Sequence, residues 1–522
     1  MKADFMNTKS KLIVLVAVMA SLLEIIDSSI VNVALPTMMG NLGATLEDIS
    51  MVITGYAIAN AIILPVSAWA GERIGRRRYF LGCIGLFTLT SVACGFAPNL
   101  YTLIFFRILQ GLAGGALLPT SQTLIYEQFP KEKAGTAGAI FGMSVMIGPT
   151  LGPTLGGWLT DNFGWRSIFN VNLPMGIIAI LIGMACIENP AFATGSKENK
   201  KGFDTWGLVL LVLGIGSLQY MLERGESNDW FDSKVISFCA FLTVVCLPLF
   251  VWWETKVKDP IMNVRLFKNG IVANGAALQG MLGFFLYGLV FALPVFVAQT
   301  FHYDATQTGM LFIPGSIITA MVMPFVGKAL GKGVNPKLLI SIGFIGVLGT
   351  LYAMTLLTPQ SSKEQVLHAL YIRGFAMAFL FVPINSSILS QFSGITMGQV
   401  SGMLNLFRQI GGSIGIAFIG TMMTKTGKQH YADMTNNVTL LDHNTWSAYN
   451  QAMSGQKLST SVGMASKAQI AIRSIYGRVQ AQVFVLSFRE IMFIIMIVMV
   501  FAFVPLYLLK FKEKTTKIVD SH

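Results

Sequence analysis

Long apolar runs separated by short polar breaks organise this chain from end to end. A helix needs about 20 predominantly apolar residues to cross a bilayer. On that criterion the pattern predicts fourteen spans, at roughly 11–33, 50–70, 79–97, 100–120, 136–158, 167–187, 204–223, 235–253, 270–298, 307–327, 337–356, 366–388, 399–424 and 487–510. The first run is too long for a signal peptide and has no small-residue cleavage site after it, so it reads as a retained span. The one long break on the expected outer side, 425–487, is polar and rich in Gly, Ser and Thr until Val462. Beyond Val462 its apolar spacing predicts a helix running into the last span.

Composition agrees with the pattern. The 522 residues are 53% hydrophobic and only 12% charged, with mean hydropathy +0.63, where soluble domains carry about a quarter charged residues. The expected fold class is an all-α polytopic membrane protein. Its 52 glycines suit helices that must approach closely in lipid. The net charge of +12 is concentrated in alternate loops, such as Arg73 with Arg76 to Arg78, Lys131 with Lys133, and Lys197 with Lys200 and Lys201. That alternation predicts both termini in the cytoplasm and argues against a nucleic-acid partner. The five cysteines all fall inside spans, none at metal-ligand spacing, and read as packing residues.

A repeat is visible across the two ends of the chain. Arg107, Pro119, Gly138 and Gly148 recur as Arg373, Pro383, Gly402 and Gly412, with the Pro-to-Gly interval 19 and the Gly-to-Gly interval 10 in both sets. Two six-helix units related by an axis along the membrane normal are the arrangement of major facilitator transporters. The division expected is an N-terminal bundle over 1–190, a cytoplasmic linker with an extra two-helix insert over 191–262, and a C-terminal bundle over 263–522 that includes the long periplasmic loop 425–487.

The chemistry lies in polar residues placed where lipid makes them costly. Asp27, with Glu24 one turn before it, sits in the first span; Arg107 sits in the fourth, about 10 Å below the outer surface. Asp27 is expected about six residues, or roughly 9 Å, below that surface. Opposite charges at similar depth predict a pair, which protonation of Asp27 would weaken. Glu24 would relay or share the proton.

In the loop after the second span, Glu72, Arg73, Gly75 and Arg76 predict a tight turn and an ionic network across the cytoplasmic face. Gly148, Pro149, Gly152, Pro153 and Gly156 place a small-residue ridge and two prolines in the fifth span, a hinge or seal between halves. Arg373, Asn405, Arg408 and Gln409 are further polar groups within the second half. No metalloprotease, phosphate-loop or nucleophile-elbow motif occurs, which argues against an enzyme and for an ion gradient as the energy source, with no cofactor.

These residues together resemble the fourteen-span drug/proton antiporters of the major facilitator superfamily, the EmrB/QacA type. The resemblance rests on Leu23-Glu24-Ile25-Ile26-Asp27 through Asn32 to Pro36, the loop around Gly75, Arg107 to Gly111, the Gly-Pro ridge, Gly164 to Pro174, and Arg408 to Gly412. It implies proton-coupled export of lipophilic compounds across a bacterial inner membrane, with Asp27, Glu24 and Arg107 in coupling and Gln110 in the fourth-span motif. Asn32, Arg373, Asn405, Arg408 and Gln409 would line the substrate cavity. The EmrB-like form Glu24, Asp27, Asn32 implies an EmrA-like periplasmic adaptor and a TolC-like outer-membrane channel. The tenth span lacks the acid that QacA-like pumps use for divalent cations, so neutral, weakly acidic or monovalent lipophilic substrates are expected. A dedicated exporter of an endogenous metabolite, lipid or siderophore shares every motif.

Overall fold

The computed structural model describes residues 6–188, 204–303, 305–439, 442–454 and 464–510. The linker lysines Lys197, Lys200 and Lys201 and the chain beyond 510 lie outside the described residues. Among those described, fourteen helices are long and apolar enough to cross a membrane. They are Thr8–Leu42, Glu47–Ile74, Arg76–Gly95, Leu100–Glu127, Lys131–Phe163, Ser167–Cys186, Thr205–Arg224, Lys234–Glu254, Gly270–Phe301, Thr306–Gly331, Pro336–Thr355, Lys363–Leu389, Gly394–Asn436 and Ala468–Leu508, numbered here as spans one to fourteen.

Local sequence sets the ends. Asn7 caps the first helix by accepting from the Ser10 amide at 2.8 Å, and Gly43 closes it at φ +60°. Thr45 caps the second helix in the same way at 3.1 Å. A single residue, Gly75 at φ +91°, separates the second helix from the third. A side chain is strained at that angle, so glycine is what makes so short a turn.

The helices run longer than hydropathy alone indicates, because capping and packing extend them past the apolar core. The first continues nine residues beyond 33, to Leu42. The thirteenth continues as helix to Asn437, so the break expected to begin at 425 is helical for its first turns. A short helix, His443–Ser454, follows, and the helix leading into the last span begins at Met464, as the spacing after Val462 predicted.

Each six-helix set packs within itself and meets the other along two seams. The fifth span lies against the tenth and twelfth, and the thirteenth against the second and fourth. The repeated spacing has a packing cause. Gly138 abuts Ser386 of the twelfth span, and its counterpart Gly402 abuts the Leu64 carbonyl of the second. Gly148 faces Ile25 of the first span, and Gly412 faces Tyr287 of the ninth.

The glycine ridge differs from its expected role. Gly148, Gly152 and Gly156 seat Ile25, Ser29 and Ile30 of the first span, inside one bundle, and the fifth helix runs unbroken from Ala134 to Phe163. The seam is made by its other face, where Thr150 bonds Ser316, Thr154 meets Gly309 and Gly157 meets Thr306. Glycine rows let two backbones close up, and here the pair that closes is the first and fifth spans. The extra pair packs on itself, with the seventh span also lying on the second and thirteenth.

Candidate coupling centre

Asp27 and Arg107 meet in the interior of the first bundle, their side chains 0% and 1% exposed. Arg107 Nη1 donates to Asp27 Oδ2 at 2.5 Å. The other carboxylate oxygen accepts from Gln110 Nε2 at 2.9 Å and Asn172 Nδ2 at 2.8 Å. Arg107 and Gln110 are three apart on one helix, which places both on the face turned to the first span. Asn172, at the head of the sixth helix, is held by a second bond to Ser91 of the third. The guanidinium also donates to the Gln110 side-chain oxygen at 2.8 Å and the Val52 carbonyl at 3.3 Å, and lies 4.1 Å from the Tyr56 ring centroid. Five spans thus meet at this centre, with the fourth and sixth bonding the carboxylate directly. A buried ion pair offsets its desolvation only when its remaining donors and acceptors are met, as these are.

The expected pair is therefore in contact, and Asp27 stands fifteen residues before the end of its helix at Leu42 because that helix continues past the apolar run. The neutral members Asn172, Ser91 and Tyr56 carry no charge to single them out in the sequence. Asn172 does fall inside the Gly164-to-Pro174 motif, which is where it was discoverable.

Glu24 makes no hydrogen bond to Asp27. Its Oε1 accepts from Asn60 at 2.9 Å, while Oε2 is buried without a partner among the described residues. Arg408, on the thirteenth span, is 2% exposed. Its Nη2 donates to Asn405 Oδ1 at 2.5 Å and its guanidinium lies 5.5 Å from the Phe381 ring.

Asn405 continues into a polar lock between halves. Its Nδ2 and the Ser401 hydroxyl both donate to Gln122 Oε1, at 2.9 and 2.6 Å, and Gln122 Nε2 donates to Asn385 at 2.8 Å. Gln279 bonds the same Asn385 oxygen at 2.9 Å. Gln122, Asn385 and Gln279 carry no motif signal.

The remaining expected residues separate into two groups. At the Gly75 loop, Arg76 forms a two-bond pair with Glu127, and Arg73 bonds Asp259 at 3.1 Å while lying 4.5 Å from the Trp69 ring. The acids that complete this network come from the fourth span and the segment before the ninth. Glu72 lines a cavity with Gly71, Arg76, Gly394 and Gly398. Asn32 is exposed, Gln409 half-buried, and Arg373 stands apart from the centre, 5.8 Å from the Phe312 ring. The Nε of Arg373 is buried with no hydrogen-bond partner among the described residues.

Residues 17–416 match the family model described as Major Facilitator Superfamily. The chain belongs to the Major Facilitator Superfamily. It is 34% identical over 446 residues to the multidrug export protein EmrB of Haemophilus influenzae, covering 84% of this chain and 86% of that one. Over 435 residues it is 33% identical to EmrB of Escherichia coli, covering 83% and 84%. The fatty acid resistance protein FarB of Neisseria gonorrhoeae is 33% identical over 422 residues, covering 81% and 82%. The human organic anion transporter MFSD10 shares the fold at TM-score 0.59 and 12% identity, covering 97% of this chain and 100% of that one. The proton:xylose symporter XylE does so at 0.56 and 14%, covering 90% and 94%. With its fourteen apolar helices, this superfamily member is a multi-pass protein of the bacterial inner membrane.

Proposed function

We propose that the protein is a multidrug exporter that moves lipophilic compounds outward in exchange for protons, with Asp27 as the proton-binding carboxylate. The observation that carries this reading is a fully buried carboxylate whose ligands come from several spans and whose counter-ion is equally buried. Kinship to proteins named multidrug export proteins supports the substrate class.

The sequence of events follows from the contacts. Ionised Asp27 binds the fourth and sixth spans to the first through charge-assisted bonds. A proton arriving from the outer side removes that charge, and Arg107 retains only Gln110, the Val52 carbonyl and the Tyr56 ring. The first span, freed on that side, is still seated on the fifth-span glycines, and the fifth span carries the seam to the tenth. Proton binding thereby biases which face of the seam is closed. Glu24, one turn before Asp27 and bonded to Asn60 of the second span, moves with the same helix. The face bearing the Gly75 loop is assigned to the cytoplasm by its basic charge.

The thirteenth helix, 44 residues long, measures about 66 Å at 1.5 Å per residue and outruns a hydrocarbon core of roughly 30 Å. Paired with the helix from Met464, through Tyr431 and Tyr476, it forms an outward projection. An EmrA-like adaptor, leading to a TolC-like channel, would dock there.

In proteoliposomes with an imposed pH gradient, wild type should drive uphill movement of a lipophilic dye and Asp27→Asn should not, with insertion intact. Undiminished gradient-driven movement in the variant would remove Asp27 from coupling. A second reading, export of an anionic amphiphile, is favoured by Arg373, which lies ten residues into its helix, about 15 Å from the end, with no carboxylate paired to it among the described residues. Under that reading Arg373→Gln loses transport of a lipophilic carboxylate while keeping that of a lipophilic cation.

A further inference from the structure

The extra hairpin carries a second buried acidic centre, far in sequence from Asp27. Asp204 caps the seventh span and Glu254 ends the eighth; they are 8% and 0% exposed. Each carboxylate has one oxygen fully engaged. Asp204 Oδ1 accepts from the Gly207 amide at 2.9 Å and the Trp253 indole at 2.8 Å. Glu254 Oε2 accepts from the Met262 amide at 3.3 Å.

The other two oxygens, Asp204 Oδ2 and Glu254 Oε1, are buried and have no partner among the described residues. Both lie within 2.7 Å of one point, the place a Cβ would occupy on Gly207, so they are no more than 5.4 Å apart. Glycine at that position lets the two acids converge. Two carboxylates this close, out of water, cannot both remain ionised. Two cations on the neighbouring elements, Arg265 and Arg73, are engaged elsewhere. Arg265 donates to the Thr255 and Val257 carbonyls at 2.9 and 3.1 Å, and Arg73 of the second span pairs with Asp259. A metal would need more ligands, and no group of three His, Cys, Asp or Glu that could hold one occurs among the described residues.

We propose that Asp204 and Glu254 hold a single proton between their free oxygens, forming a proton-binding clamp separate from the coupling centre. The bound proton turns two repelling oxygens into an O–H···O bond and fixes the end of the hairpin to Met262, in the segment that leads to the second half. Loss of that proton places like charges in a buried site and releases this segment. Replacing either acid by its amide supplies a permanent N–H in place of the proton, so Glu254→Gln and Asp204→Asn should fold with the clamp closed at every pH.

The test uses the full chain in lipid nanodiscs. Trypsin cleavage at Lys256, Lys258 and Arg265 is followed against pH, normalised to a peptide substrate, in wild type and in both variants. Wild-type cleavage should accelerate as pH rises, while both variants stay flat. Infrared difference spectra should show a protonated-carboxyl carbonyl band in wild type that Glu254→Gln and Asp204→Asn each remove. Equal pH dependence in all three proteins, or a band unchanged by both substitutions, overturns the proposal. So does stabilisation of wild type by sodium or calcium ions that Glu254→Gln abolishes, since a cation would then be the occupant. Dye transport driven by a pH gradient reports on Asp27 independently of all these results.

Discussion

Substituting Asn172 by Leu tests the coupling centre through a residue that carries no charge. Asn172 is 2% exposed and gives Asp27 one of its three hydrogen bonds, at 2.8 Å. Leucine keeps the volume and removes the donor, and burial leaves little water to replace it. A hydrogen bond to a charged group is worth about 1.5–3 kcal/mol. The loss falls on the ionised form of Asp27 alone, so the protonated form gains by that amount. At 1.36 kcal/mol per tenfold change, proton affinity rises roughly 10- to 150-fold. The sign is therefore definite: the midpoint of gradient-driven transport against pH moves to higher pH, by about 1 to 2 units. The assay is dye efflux from proteoliposomes over a pH series, with Asn32→Leu as control. Asn32 is exposed on the same helix as Asp27 and should leave the midpoint in place. An unmoved midpoint in Asn172→Leu, or one moved to lower pH, would refute the assignment of Asp27 as the proton carrier.

Three other outcomes follow from packing and pairing. Gly152→Ala brings a Cβ to 2.8 Å from Ser29 Cβ and 3.0 Å from the Ile30 nitrogen, so overpacking should cost about 1–3 kcal/mol in denaturation. Gly40→Ala, with nothing within 4 Å, should cost nothing measurable in the same experiment. Gln122→Leu removes one partner each from Ser401, Asn405 and Asn385, which keep the Pro119 carbonyl, the Ser401 carbonyl and Gln279, so the seam loses hydrogen bonds worth about 0.5–1.5 kcal/mol each. The two halves should then part more readily on that side, read as faster maleimide labelling of Ser67→Cys. Glu127→Gln weakens the two-bond Arg76 pair, whose side chains are only 15% and 20% exposed, and should lower stability by about 1.5–3 kcal/mol. An unchanged stability would mean that the pair does not hold this face together.

The order and number of spans, the duplicated halves and the Asp27–Arg107 pair are all legible in the sequence. Lipid supplies the reason. It forces apolar runs of fixed length, and it makes each intramembrane charge stand out and seek an opposite partner at matching depth. Neutral polar groups give no such signal. Asn172, Gln122, Asn385 and Asn60 look like any amides in the chain, and only folding shows that they complete the coupling centre, the seam lock and the Glu24 contact.

What the sequence by itself determined is therefore the one-dimensional part: which segments cross, where they repeat, and which charges must be buried. Which face of a helix meets which neighbour was decided by tertiary structure. The fifth-span glycines carry the same small-residue spacing whether they seal the two halves or seat the first span. The choice rests with the shapes of Ile25, Ser29 and Ile30, more than a hundred residues away. The Asp204–Glu254 meeting is of the same kind. Two acids fifty residues apart become one centre only because two helix ends close over a glycine.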